Sequence, residues 1–347
     1  MSYQREYERK LKIGLVGAGS HAYRNLLPAF TYLPVELKAI CDIDEDLARK
    51  TAIQYGAEGV YTSAEAMYKN EDLDAVFLAL PPHLNPEMTI GAFDAGLHVW
   101  MEKPPAIRAT QVEEMLRHRG DRVCVVGFKK AFMPCTEKVV EIVGNSEFGS
   151  LKSMIAMYPL KMPLEGKKLL DEGVYWNNLC HPLALMLRVG GDISAVTTYR
   201  AKVAGGCIVF EFQNGAIGNL HMTSGVAAGQ PHENYFFYGD GMHIEIRNSS
   251  KVTCYRSIPF KYGITTSYAP PGMDHGAISW EPQNTVATLE NKTLFTQGFW
   301  NEMKYFCDCV LESREASICS LEFALHLVQV HEAALLSEGN RVIPETT

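Results

Sequence analysis

The segment Lys12-Ile-Gly-Leu-Val-Gly-Ala-Gly-Ser-His-Ala22 constrains this chain more than any other stretch. A short apolar run enters a glycine-rich turn, and a helix-compatible segment follows. Gly17, Gly19 and Ala22 fill the three positions of a G-x-G-x-x-G/A fingerprint, with Gly14 inside the strand. The first lets the chain turn sharply, the second leaves bare backbone for a pyrophosphate, and the third lets the helix approach the sheet. The free amides of that helix then face the phosphates. Ser20 and His21 belong to the same loop; His21 either approaches a phosphate or is an ordinary surface residue.

The pattern around this loop is that of an alternating α/β domain. Residues 11–16, 37–41, 75–80, 98–101 and 123–127 read as strands, and 46–54, 86–95 and 110–118 as helices. Continuous apolar strands separated by helices imply a parallel sheet covered on both faces. Asp42 closes the second strand, 25 residues beyond Gly17. There its carboxylate either accepts the adenosine ribose hydroxyls or caps the next turn. In the first case a 2'-phosphate meets like charge, so NAD is preferred to NADP. Leu80, Pro82 and His83 follow another parallel strand, where ligands bind outside carboxyl ends.

After about residue 128 the pattern changes to α+β. Helices are expected over 135–143, 177–187, 298–312 and 320–337, and strands over 151–158 and much of 193–255. Asn214-Gly215 between two alternating runs signals a hairpin, as does Gly239-Asp-Gly241. Residues 256–285, rich in Gly, Pro and Tyr, read as a long loop bordering a site or an interface. The expected organisation is a dinucleotide-binding domain over 1–125 and an α+β domain with a large, mostly antiparallel open-faced sheet over 126–347.

Glu102-Lys103-Pro104 follows a buried strand directly. An ammonium held there steers a substrate oxygen and stabilises it as it becomes alkoxide-like; the bland reading pairs Lys103 with Glu102 in a turn. Asn177 and His181, four residues apart, are expected on one helical face. His181 suits a general acid or base because its intrinsic pKa is near neutrality. Asn177 can position a hydroxyl or the histidine but brings no carboxylate charge. Lys129 and Lys130 either meet an acidic substrate or form a solvated basic pair. Tyr158, Lys161, Tyr175 and Trp176 are candidates for the pocket lining.

These residues resemble the Gfo/Idh/MocA family of NAD(P)-dependent oxidoreductases, the glucose-fructose oxidoreductase and inositol dehydrogenase group. The resemblance is carried by GAGSHA at 17–22, AGLHVWMEKP at 95–104, VGFKKAFMP at 126–134 and DEGVYWNNLCHPLALMLRVG at 171–190. It implies NAD as cofactor, and a sugar, cyclitol or related polyol as substrate. It further implies that Lys103 is the family's EKP lysine and His181 its active-site histidine, and that the open sheet face mediates a homo-dimer or homo-tetramer. Asn177 stands where the family often has aspartate, Asn85 where many members have histidine, and Ala184 where a further aspartate is frequent. Asn85 and Glu102 thereby join the candidate cofactor-binding residues.

Composition narrows the alternatives. A formal charge of −8 without a long Lys/Arg run argues against nucleic acid or an anionic membrane. No run reaches the roughly 18 apolar residues of a membrane span, and the N-terminal residues lack an apolar signal core. Nine scattered cysteines fit reduced thiols in a cytoplasmic enzyme, and no ligand spacing supports a metal. Two other functions remain open at this point: a sugar lyase or glycosidase recycling NAD within each turnover, and a non-enzymatic NAD-binding regulator or scaffold.

Overall fold

The computed structural model describes residues 7–230, 232–257, 261–264, 276–282 and 293–345. Six runs form a parallel sheet: β1 (Leu11–Val16), β2 (Val35–Cys41), β3 (Gly59–Tyr61), β4 (Ala75–Leu78), β5 (His98–Glu102) and β6 (Cys124–Gly127). Their order is β3-β2-β1-β4-β5-β6. Every residue of β4 and β6 is buried, as two-sided cover requires. The strand order reverses between β1 and β4, which opens a crevice at their carboxyl ends. Asp42, the Gly17 loop, Leu80, Lys103 and Lys129 all follow strands at that one edge. β3 and the helix Ala64–Asn70 go beyond the sequence reading. A three-residue strand of half-buried residues leaves no apolar run to detect.

The second sheet contains β7 (Ser153–Tyr158), β8 (Ile193–Arg200), β9 (Gly206–Phe212), β10 (Ile217–Met222), β11 (Asn234–Tyr238), β12 (Met242–Arg247), β13 (Lys251–Arg256) and β14 (Gly276–Trp280). Their order is β14-β13-β12-β11-β7-β10-β9-β8, antiparallel except for the β7–β10 pair. The two hairpins expected from Asn214-Gly215 and Gly239-Asp-Gly241 are the β9–β10 and β11–β12 connections. Gly215 has φ +87°, the left-handed conformation that such a turn requires. β14 corrects the expectation of a loop across 256–285: it pairs with β13 despite the glycine- and proline-rich composition around it. The remaining stretches 258–260, 265–275 and 283–285 lie outside the described residues.

One face of this sheet buries Met154, Ala156, Phe210, Leu220, Tyr235, Phe237 and Ile244. The alternate residues Ile155, Phe236, Tyr238, His243 and Tyr255 are only partly buried. On that face His243 stacks on Tyr255, with ring centroids 4.4 Å apart.

The last two helices return to the first sheet. Phe299–Leu311 packs on β5 and β6, and Leu321–Leu336 packs on the helix Ala109–Arg119. The latter contact is pinned by Glu332, fully buried, whose Oε1 accepts from Arg108 Nε at 2.8 Å and from the Ala109 amide at 3.0 Å. Removing the carboxylate strands a backbone donor at a helix start and a partly buried guanidinium. Glu332→Ala should therefore lower folding stability by about 2–4 kcal/mol in urea denaturation, and Glu332→Gln by less, because an acceptor remains.

Candidate active site

Gly17 turns the chain after β1 with φ +90°, and a Cβ there would lie 2.6 Å from the Ala79 carbonyl oxygen. Only glycine fits between the first loop and the end of β4. At Gly19 a Cβ would meet nothing within 4 Å, so the backbone faces open space. Ala22 is buried against the sheet and begins a single π-helical turn, Ala22–Leu26. An open groove of ≈ 500 Å³ is lined by Ala18, Gly19, Ser20, Tyr23, Arg24 and Leu47. Asp42 borders the loop: its Oδ2 accepts from the Ala18 amide at 2.7 Å and its Oδ1 from the Asp44 amide at 3.0 Å. Each oxygen keeps a lone pair for a further donor. Asp44 caps the helix Glu45–Tyr55 through the Leu47 amide. Leu80 and Pro82 are half-buried at the end of β4, and His83 is exposed. This combination of bare backbone, groove and carboxylate fits a dinucleotide.

Lys103 emerges from β5 on a heavily braced backbone. Asn85, fully buried, donates Nδ2 to the carbonyls of Glu102 at 3.2 Å and Pro104 at 2.9 Å, the two residues flanking Lys103. Glu102 accepts from the Lys103 amide at 3.1 Å through Oε2 and pairs with His21 Nε2 at 2.6 Å through Oε1. The carboxylate thus ties the glycine loop to the lysine. His21 is half-exposed and is engaged with Glu102 on one nitrogen and Asn25 on the other.

His181 lies in the first turn of the helix Cys180–Gly190 and is buried, with no partner for Nδ1 among the described residues. Burial, then the positive charges of Lys103, Lys130, Lys129 and His21, holds it well below its ordinary pKa. The Lys103 ammonium is the charge that bears most on this imidazole. Lys130 is buried and neutralised: its Nζ bonds Glu233 Oε1 and Oε2 at 2.6 and 2.7 Å and lies 5.7 Å above the Tyr158 ring. It is not a solvated member of a basic pair. Lys129 lies 4.4 Å above the Phe299 ring.

Asn177 departs from expectation. The helix begins at Cys180, and Asn178 adopts φ +69°, which breaks any helical continuity between Asn177 and His181. Asn177 is exposed in the preceding turn, and its Oδ1 accepts from the Asn178 amide at 3.0 Å. Tyr175 is buried against His331, with ring centroids 4.0 Å apart. The Trp176 amide donates to His331 Nε2 at 3.1 Å, and its indole donates to the Lys161 carbonyl at 3.2 Å. These two aromatics therefore brace the turn before His181 from the side of the last helix.

Sequence reasoning missed Glu302, Glu233 and the clamp made by Asn85. Glu302 is fully buried with neither oxygen bonded among the described residues. Burial, then the Glu102 carboxylate, raises its pKa well above the usual range. A helical F-x-x-E pattern carried no signal for it. No group of three or more potential ligands that could hold a metal occurs among the described residues. No described helix is long and apolar enough to cross a membrane.

Residues 11–129 match the Gfo/Idh/MocA family, described as "Oxidoreductase family, NAD-binding Rossmann fold". It is 29% identical to a D-xylose 1-dehydrogenase (NADP(+)) of Haloferax volcanii over 178 residues, 48% of this chain and 54% of that protein. It is 30% identical to a dTDP-3,4-didehydro-2,6-dideoxy-alpha-D-glucose 3-reductase of Streptomyces violaceoruber over 215 residues, 58% and 63% of the two chains. The matches thus span about half to three-fifths of these relatives. Among solved structures, a levoglucosan dehydrogenase in complex with NADH and levoglucosan superposes with a TM-score of 0.80 at 16% identity, covering 97% of this chain and 100% of that one. At that identity the likeness shows the fold.

The buried imidazoles carry a pH consequence. His181 is held well below 6.5, and His331 is pulled down to about 3 by burial, then by Arg108. The unfolded chain takes up protons near pH 6.5 that the native state refuses, so stability falls as pH drops below that value. For His331 this is about 2 kcal/mol of loss between pH 7 and pH 5, and His181 acts in the same direction. Urea titrations at the two pH values should show an acid loss about 2 kcal/mol smaller in His331→Gln than in the parent protein.

Proposed function

We propose that this chain is an NAD-dependent oxidoreductase that moves a hydride to or from a hydroxyl-bearing carbon of a sugar, cyclitol or related polyol. The carrying observation is that Lys103, braced at the carboxyl end of β5, shares a sheet edge with the Lys129–Ala131 turn on which the helix of the buried His181 packs. Gly17, Gly19, Ser20 and Ala22 would hold the pyrophosphate, and Asp42 the adenosine ribose. The negative charge of Asp42 supports NAD over NADP. When bound, the nicotinamide supplies the hydride chemistry.

In the oxidative direction the neutral His181 accepts the hydroxyl proton on a ring nitrogen. Lys103 Nζ orients the substrate oxygen and stabilises the charge that develops on it. Neutrality is what makes the imidazole a base, and the adjacent ammonium is what makes the alkoxide accessible. In reduction the proton returns by the same path. Asn85 and Glu102 hold the backbone of Lys103, so the ammonium is placed by the fold itself. The nine unpaired cysteines support a cytoplasmic setting. The partly buried face with Tyr238, His243 and Tyr255 supports a homo-dimer or homo-tetramer through the second sheet. The reading keeps a dinucleotide domain over 1–125 and a substrate domain over 126–347.

A polyol and keto-sugar panel, with products and NAD redox state followed together, tests the assignment. Stoichiometric NADH and oxidised sugar are expected; product formation without net NADH would replace dehydrogenation by internally recycled redox chemistry. Single-turnover hydride transfer should fall about 10²–10⁴-fold in Lys103→Ala and in His181→Asn. Normal transfer in Lys103→Ala would remove the lysine from the mechanism.

A further inference from the structure

The mechanism above gives Lys129 no task. Lys129 follows β6 at the same sheet edge as Lys103, and its charge bears on His181. It is half-buried, and among the described residues its ammonium has the Phe299 ring and no hydrogen-bond or ion-pair partner. Phe299 is the first residue of the helix Phe299–Leu311, so the ammonium sits at the positive end of that helix. The contact is close: a Cβ on Gly298 would lie 2.2 Å from the Lys129 carbonyl oxygen.

Among the described residues, the acids that bear on this cluster have other partners or are neutral. Glu233 is taken by Lys130. Glu102 is taken by His21 and the Lys103 amide. Glu302 does bear on Lys129, but burial beside Glu102 favours its neutral acid form. The helix Cys180–Gly190 that carries His181 has no acidic residue. Burial and the charges of Lys130 and Lys103 lower the pKa of Lys129, the mark of a cation short of counter-charge. A ligand with hydroxyls alone would leave that deficit in place.

We propose that the substrate is a polyhydroxy carboxylate, of aldonate or uronate type, and that Lys129 pairs with its carboxylate while Lys103 and His181 handle the hydroxyl. The inference rests on the oxidoreductase reading and names the substrate class for that site. One spare ammonium matches a monoanion. A phosphate ester, with a charge near −2 and three acceptor oxygens, is matched better by a bidentate guanidinium, and the leading charges on His181 are three lysines and His21.

The test compares D-galacturonate with D-galactose and D-gluconate with D-glucitol, with sugar phosphates as a third arm. Turnover with NAD and calorimetric binding to the enzyme–NADH complex are both measured, in the parent, Lys129→Met and Lys129→Arg. The parent should favour each acid at least about tenfold in kcat/KM, with a preference that shrinks as salt rises. Lys129→Met should lower the acid-to-neutral ratio about 10–100-fold, chiefly through KM, and Lys129→Arg should restore much of it. Equal handling of acid and neutral partner, or preference for a phosphate, overturns the inference while leaving the oxidoreductase reading standing. Absence of turnover across the panel defeats that reading instead. Binding then decides the inference: acid affinity lost in Lys129→Met upholds it, and acid affinity absent or unaltered overturns it.

Discussion

The Glu102 carboxylate joins the glycine loop after β1 to the strand end that carries Lys103. One oxygen meets His21, two residues beyond the glycine that leaves the backbone bare, and the other meets the amide of Lys103. A single buried acid thereby fixes the spacing between the loop that would hold a dinucleotide and the ammonium that would face its reactive end. Asn85 completes the brace by gripping the carbonyls on both sides of the lysine. Four hydrogen bonds to backbone and side chain leave Lys103 its side-chain torsions as its main freedom. Preorganisation of this kind lets an ammonium stabilise developing charge without reorganisation at the moment of reaction.

Burial sets the protonation pattern around that brace. Cations collect at the carboxyl ends of β5 and β6, and the fold treats each differently. Lys130 is buried and neutralised by Glu233, which also accepts from the Tyr235 hydroxyl at 2.7 Å. Burial, with the Lys103 charge next, holds His181 well below its ordinary pKa, and Glu302 is driven the opposite way, toward the neutral acid. Desolvation is the largest cause in both shifts, so the same dry interior produces a base from a histidine and an uncharged group from a glutamate.

The parts of this design written in local pattern were legible from residues alone. The first strand was readable to its end residues because its apolar run meets a glycine turn, and the hairpins were readable because Asn-Gly and Gly-Asp-Gly demand particular turns. β3 and the helices Ala64–Asn70 and Gly166–Asp171 were not, since each is too short to show a period. Asn177 was placed on a helix because i,i+4 spacing is satisfied by arithmetic, whereas the positive φ of Asn178 is a local choice that spacing does not encode. Composition misplaced β14 for a related reason, because pairing with β13 outweighs glycine and proline nearby. Glu302 and the Asn85 clamp were invisible because their meaning lies in contacts between distant segments.

The placement of His331 bears on how the protein is made. Its Nε2 accepts from the amide of Trp176, so the turn leading into His181 is moored by a residue 155 positions further on. The six parallel strands come from one contiguous segment, 11–127, whereas the helix Phe299–Leu311 that covers β5 and β6 leaves the ribosome much later. The turn before His181 gains its mooring only when the final helix has been synthesised and docked. The surroundings of His181 are therefore among the last parts of the chain that biosynthesis can complete.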